Sequence, residues 1–246
     1  MQELRNKLWM VEPYPKGMRA IPQPIAGTAF FPGGTGIWKE VGVRQSRSRR
    51  RPIMVLGHDF DSEVAYQRSF EIGDETHGPT WRNLRRLFDE TGILMSECCF
   101  TNYFMGMRVG NISTGRSPAS YSDEFVERCG DFLIEQLKLI RPSVLLTLGV
   151  YVPRMIASLS DGLAGWRFAR SFADIDKLPP LHLNVRFKGY SGQVHVVSLT
   201  HPSFHGPSVR HRRYGRAQGI RAEIKMLKDS LNRLEQGKKQ REETGE

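Results

Sequence analysis

The chain has 246 residues, 39% of them hydrophobic, and 36 Lys plus Arg against 26 Asp plus Glu, a formal net charge of +10. That is enough chain for one large α/β domain with its own core, and the basic balance favours a polyanionic partner, without distinguishing DNA from RNA or a membrane surface. No apolar run approaches the roughly 18 residues of a membrane span, and Met1-Gln2-Glu3-Leu4-Arg5 has no signal-peptide core, so a cytoplasmic monomer without a membrane partner is expected.

Residues 1–51 are rich in Pro, Gly and Arg and read as a basic N-terminal arm packed on the domain. Its densest run holds Arg44, Arg47, Arg49, Arg50 and Arg51, with Arg49 and Arg50 among the expected phosphate contacts. Phe30-Phe31-Pro32-Gly33-Gly34-Thr35-Gly36 reads as a turn, because it lacks the Lys and the strand-to-helix setting of a phosphate loop.

From Ile53 the pattern alternates between strand and helix, and residues 52–236 read as one α/β domain. Ile53 to Leu56 is a short buried strand leading into Gly57-His58-Asp59-Phe60-Asp61. Trp81, Leu84, Leu87 and Phe88 recur at helical spacing after Pro79, and Gly92 ends that helix. Leu94 to Thr101 predicts a second strand ending at Asn102. Ser122 opens a helix with Phe125, Cys129, Phe132, Leu133, Leu137 and Ile140 on its apolar face, and Pro142 stops it. Val144 to Leu148 is a third strand and Val152 to Leu159 a short helix. Leu181 to Phe187 and Val194 to Leu199 alternate as strands and can pair as a hairpin, the second leading into His201-Pro202-Ser203. Ile220, Ile224, Leu227, Leu231 and Leu234 mark a last helix docked on the domain, and residues 237–246 read as a disordered tail. Such alternation predicts a three-layer αβα sandwich around a central, mostly parallel sheet. Open sheets of this kind place their chemistry beyond the carboxyl ends of the strands.

Three of those ends offer a carboxylate at Asp59, an amide at Asn102 and an imidazole at His201. This trio, in this chain order, resembles the uracil-DNA glycosylase superfamily. The resemblance covers about residues 52–216 and implies a uracil-DNA glycosylase-like fold and a base-flipping DNA glycosylase. Asp59 then directs water and steadies the sugar cation, Asn102 reads the base, and His201 stabilises the leaving anion. Asp61 and Glu63 are rivals of Asp59 on the same loop. Ser203 is expected on a backbone phosphate, with Phe204 and His205 as candidate wedges for the hole left by the flipped base. Phe70, or else Phe60, is the candidate stacking partner, and His58, Glu75, His77 and Trp81 are further candidates for the pocket. Arg210, His211, Arg212, Arg213 and Arg216 supply charge for phosphates.

The first motif departs from the superfamily's Gly-Gln-Asp-Pro-Tyr at three positions, where His58, Phe60 and Asp61 stand. Asp61 in place of the Tyr that excludes thymine tilts the expectation toward a 5-modified pyrimidine, such as the hydroxymethylated or glucosylated cytosine of phage DNA. Uracil, and so repair, is the competing substrate. Cys98, Cys99 and Cys129 are three where an iron–sulfur branch uses four, so neither a cluster nor any other metal or cofactor is expected. The rival readings are a catalytically silent nucleic-acid-binding protein on the same fold and an unrelated nucleotide-handling enzyme. Against the second stand the missing phosphate loop and GxGxxG fingerprint.

Overall fold

The segments Ile53–Gly57, Cys98–Asn102 and Val144–Leu148 are buried at every position, as strands covered on both faces must be. The computed structural model describes residues 2–21, 52–72 and 78–244. In chain order its elements are α1 (Gln2–Asn6), β1 (Met18–Arg19), β2 (Ile53–Gly57), α2 (Glu63–Ile72), α3 (Pro79–Asp89), β3 (Cys98–Asn102), β4 (Met107–Arg108), α4 (Asp123–Ile140), β5 (Val144–Leu148), α5 (Tyr151–Ile156), α6 (Phe172–Lys177), β6 (Leu181–Arg186), β7 (Gln193–Leu199), α7 (His205–Val209), β8 (Arg213–Tyr214), β9 (Ala217–Gln218) and α8 (Ile220–Thr244).

The central sheet has five strands in the order β3-β2-β5-β7-β6. The first four run parallel, and β6 pairs antiparallel with β7, the hairpin the sequence predicts. The result is a mixed α/β fold with helices about a mostly parallel sheet, an arrangement compatible with three layers. From β2 the chain steps to β3 on one side and later to β5 on the other, so the order reverses between β2 and β5. Beyond the carboxyl ends of the strands at such a reversal lies the crevice where open sheets bind ligands.

Helix termini follow the expected signals. The Ser122 hydroxyl caps α4 by accepting from the Phe125 N–H, and Arg141 ends the helix in the left-handed region at φ 50°. Among the described residues of the arm, Leu4 and Val11 are buried. Arg128 of α4 donates to the Val11 and Pro13 carbonyls, and β1 pairs with β4. Arg44, Arg47, Arg49, Arg50 and Arg51 lie outside the described residues.

Three boundaries differ from expectation. The second strand starts at Cys98, because Met95–Glu97 forms a 3-10 turn before it. The helix after β5 is shorter, Tyr151–Ile156. The last helix continues to Thr244, where a disordered tail from residue 237 was expected. Docking supplies the costly nucleus, and the Lys, Gln, Arg and Glu that follow propagate a helix once it exists. That docking buries Ala222, Met226, Leu227 and Leu231 against the core. No helix among the described residues is long and apolar enough to cross a membrane.

Candidate active site

The loops after β2 and β3 are zipped together by backbone bonds. Tyr103 N donates to the Gly57 carbonyl (2.9 Å), Phe104 N to that of His58 (2.9 Å), Phe60 N to that of Gly106 (3.2 Å) and Arg108 N to that of Asp61 (2.8 Å). Gly57 and Asn102 are register partners. Asp59, His58 and Asn102 therefore share one end of the sheet. The β7 end joins them across β5: Gly149, at φ +89°, has His201 directly above it, with the His201 Cβ 3.6 Å from where a glycine Cβ would stand. The turn itself demands a glycine there. From α3, the Asn83 amide donates to the Pro202 carbonyl at 2.7 Å and anchors the His-Pro-Ser loop.

Geometry separates the three rival carboxylates. Asp61 turns the chain at φ 66°, and its Oδ1 accepts from the Ser62 N–H at 2.7 Å, a local turn role. Glu63 pairs with Arg19 and accepts from the Gly110 N–H. Asp59 is buried and faces the histidines: its Oδ2 lies 3.7 Å from His58 Nδ1, and its charge raises the pKa of His201. Oδ2 also accepts from Arg108 Nε at 2.7 Å, and Oδ1 from the Asp61 N–H at 3.3 Å. Arg108 is buried too, and its remaining nitrogens donate to the carbonyls of Thr114 (2.6 Å) and Gly115 (3.0 Å). Nothing in the sequence around Arg108 marks it as the partner of Asp59.

His58 stacks on Tyr151 (ring centroids 5.1 Å apart) and tilts against Phe104 (5.4 Å). Burial lowers its pKa to about 4, with the charges of Arg108 and His201 adding to the fall and Asp59 opposing it, so the ring is neutral at neutral pH. Its Nε2 is buried without a hydrogen-bond partner. Burial also lowers the pKa of His201, again opposed by Asp59. The Ser203 backbone N–H donates to His201 Nδ1 at 3.3 Å, and the Ser203 hydroxyl lies 2.7 Å from the same atom. A backbone N–H only donates, so Nδ1 is the acceptor and the proton of the neutral ring sits on Nε2.

Asn102 is fully buried at the end of β3, and neither its Oδ1 nor its Nδ2 has a hydrogen-bond partner. Burying an amide so is unfavourable unless it meets a partner, which a ligand or an ordered water can supply.

Other candidates divide. Arg212, expected on phosphate, is instead fully buried: it pairs with Asp176 (3.0 Å) and Glu223 (3.2 Å), donates to the Ser198 carbonyl (2.9 Å), and lies over the Phe172 ring. Its neighbours Arg210, His211, Arg213 and Arg216 are exposed. Ser203 is exposed, but its hydroxyl is engaged with His201 rather than free for phosphate. Phe60 is buried in the core, as is Trp81, whose ring meets Phe100 edge-on. The side chains of Phe70, Phe204 and His205, and all of Glu75 and His77, lie outside the described residues. Cys98, Cys99 and Cys129 are buried thiols, Cys129 pushed up to about 12 by burial.

A scan against protein-family models finds no match to this chain, and neither does a search of curated proteins.

Proposed function

We propose that the protein is a monofunctional DNA glycosylase that flips a pyrimidine out of double- or single-stranded DNA and hydrolyses its N-glycosidic bond. The observation that carries this reading is the buried, unpartnered amide of Asn102, at the same carboxyl end of the parallel sheet as Asp59 and the Nε2–H tautomer of His201. N-glycosidic cleavage asks for those three functions. An amide pairs the edge of a flipped base. The His201 Nε2–H meets negative charge growing on the base O2 as the C1′–N1 bond breaks and its electrons pass to the base. Asp59 stabilises the cation-like sugar and orients the water that adds to C1′. Capturing such a cation asks for a placed water more than a strong base, so the ion pair with Arg108 is compatible with the role.

The substrate is a 5-modified pyrimidine of foreign DNA or uracil from deamination, and the chemistry calls on no metal or cofactor. The exposed Arg210, Arg213 and Arg216 supply backbone contacts that also support a silent binding protein. The test is base release from labelled oligonucleotides carrying uracil, thymine, cytosine or 5-hydroxymethylcytosine, revealed by alkali. Asp59→Asn, whose amide oxygen still accepts from Arg108, is expected to lower release by about 100-fold or more. Binding without release from any member defeats the enzymatic reading.

A further inference from the structure

We infer that the base read by this site carries an exocyclic amine at position 4, a cytosine-type edge, and that His58 is the residue that selects it. The inference rests on the glycosylase reading for its substrate but on separate atoms for its argument.

Asn102 alone does not discriminate. Its amide offers one acceptor and two donors and can rotate to pair with either pyrimidine type: it accepts from N3–H and donates to O4, or accepts from the 4-amine and donates to N3. His58 cannot adapt in that way. Its Nδ1 lies 3.7 Å from the Asp59 Oδ2, which carries the negative end of a buried ion pair with Arg108. A lone pair on Nδ1 would face that oxygen, so the ring holds its proton on Nδ1. The buried, unpartnered Nε2 is then an acceptor. The ring is also fixed in place, stacked on Tyr151 and flanked by Phe104. His58 follows the last residue of β2 and Asn102 ends the neighbouring β3, and the loops beyond are joined by the Phe104 N–H to His58 carbonyl bond.

Beyond these two adjacent strand ends the unpartnered buried groups are therefore two acceptors and one amide donor group. A 4-aminopyrimidine answers all three: one amine hydrogen to Asn102 Oδ1, the other to His58 Nε2, and N3 accepting from Asn102 Nδ2. A 4-oxopyrimidine brings a lone pair to Nε2. Curing that clash requires the other His58 tautomer, which turns a lone pair on Asp59. A buried acceptor left facing another acceptor lowers affinity or rate by about 10- to 100-fold. The inference is independent of any substituent at position 5.

The test uses matched oligonucleotides that differ only at position 4: cytosine against uracil, and 5-hydroxymethylcytosine against 5-hydroxymethyluracil. Single-turnover release and equilibrium binding are both measured with the wild-type protein, binding on 2′-fluoro analogues of the same nucleotides that resist cleavage. The expected result is a preference of at least 10-fold for the 4-amino member of each pair. His58→Gln, whose carboxamide can rotate to donate, is expected to narrow that preference to about threefold. No 4-amino preference in binding or in release overturns the inference, and an unchanged preference in His58→Gln overturns the role of His58. A 4-amino preference in binding with no release from any member supports the inference while sinking the glycosylase reading.

Discussion

Replacing Asn102 by Leu should make the protein more stable and abolish the proposed base release. Leu keeps the branching of Asn, with methyl groups where the amide oxygen and nitrogen stood. Asn102 is fully buried and neither amide atom has a hydrogen-bond partner, so the substitution removes two unsatisfied groups and breaks no bond. Each such group costs about 1–3 kcal/mol, and Leu brings apolar area into a buried site. Against this stands the slightly larger volume, and overpacking costs about 1–3 kcal/mol where a site cannot give. Asn102 is the last residue of β3, where the following loop can give more readily than the middle of a strand, so the gain should exceed the loss. A net gain of about 1–2 kcal/mol corresponds to a rise in Tm of roughly 2–8 °C for a domain of this size. Thermal melting of wild type and Asn102→Leu, with base release on the same preparations, reads both effects. A fall in Tm of several degrees would refute the reasoning. It would mean that the amide is satisfied within the folded protein and is not held for a ligand.

Arg212→Met should lower Tm by on the order of 10 °C, because it leaves Asp176 and Glu223 without their cation, and breaking a buried pair costs about 3–5 kcal/mol. The exposed Arg213→Ala should leave Tm nearly unchanged and reduce the salt dependence of DNA binding by about one counterion. The opposite pattern would return Arg212 to the phosphate interface. Folding stability should also fall on acidification. His58 has its folded-state pKa depressed to about 4, so its contribution is full above the unfolded value of 6.5 and is lost as pH falls toward 4, about 3 kcal/mol in all. Urea melts of His58→Gln across that range should show a shallower loss than wild type, and parallel curves would contradict the assignment.

Much of the fold is legible because parallel strands buried on both faces read as unbroken apolar runs. Ile53 to Leu56, Val144 to Leu148 and Val194 to Leu199 all appear in the sheet. Ser122 and the Pro after Arg141 mark the ends of α4 for equally local reasons. What escapes is whatever depends on distance in space. Arg212 stands between His211 and Arg213 in a run that reads as a basic surface, and only the carboxylates of α6 and α8 give it a different fate. The helical tail escapes for a related reason, since a charged segment propagates a helix only when its start is docked elsewhere.

The candidate site shows the same division, and Arg108 makes it concrete. Strand ends placed Asp59, Asn102 and His201 at one edge, but the sequence left Asp59, Asp61 and Glu63 equivalent. Four partners distinguish them: Ser62 holds Asp61, Arg19 and Gly110 hold Glu63, and Arg108 holds Asp59. The guanidinium of Arg108 is fixed by the Thr114 and Gly115 carbonyls, so it fixes Asp59 in turn. A carboxylate locked before substrate arrives needs no reorganisation when positive charge develops beside it, which is where electrostatic catalysis gains most. The same lock is what we infer sets the direction of the His58 proton. One unannounced arginine thus governs both the carboxylate proposed to act on the sugar and the imidazole proposed to read the base.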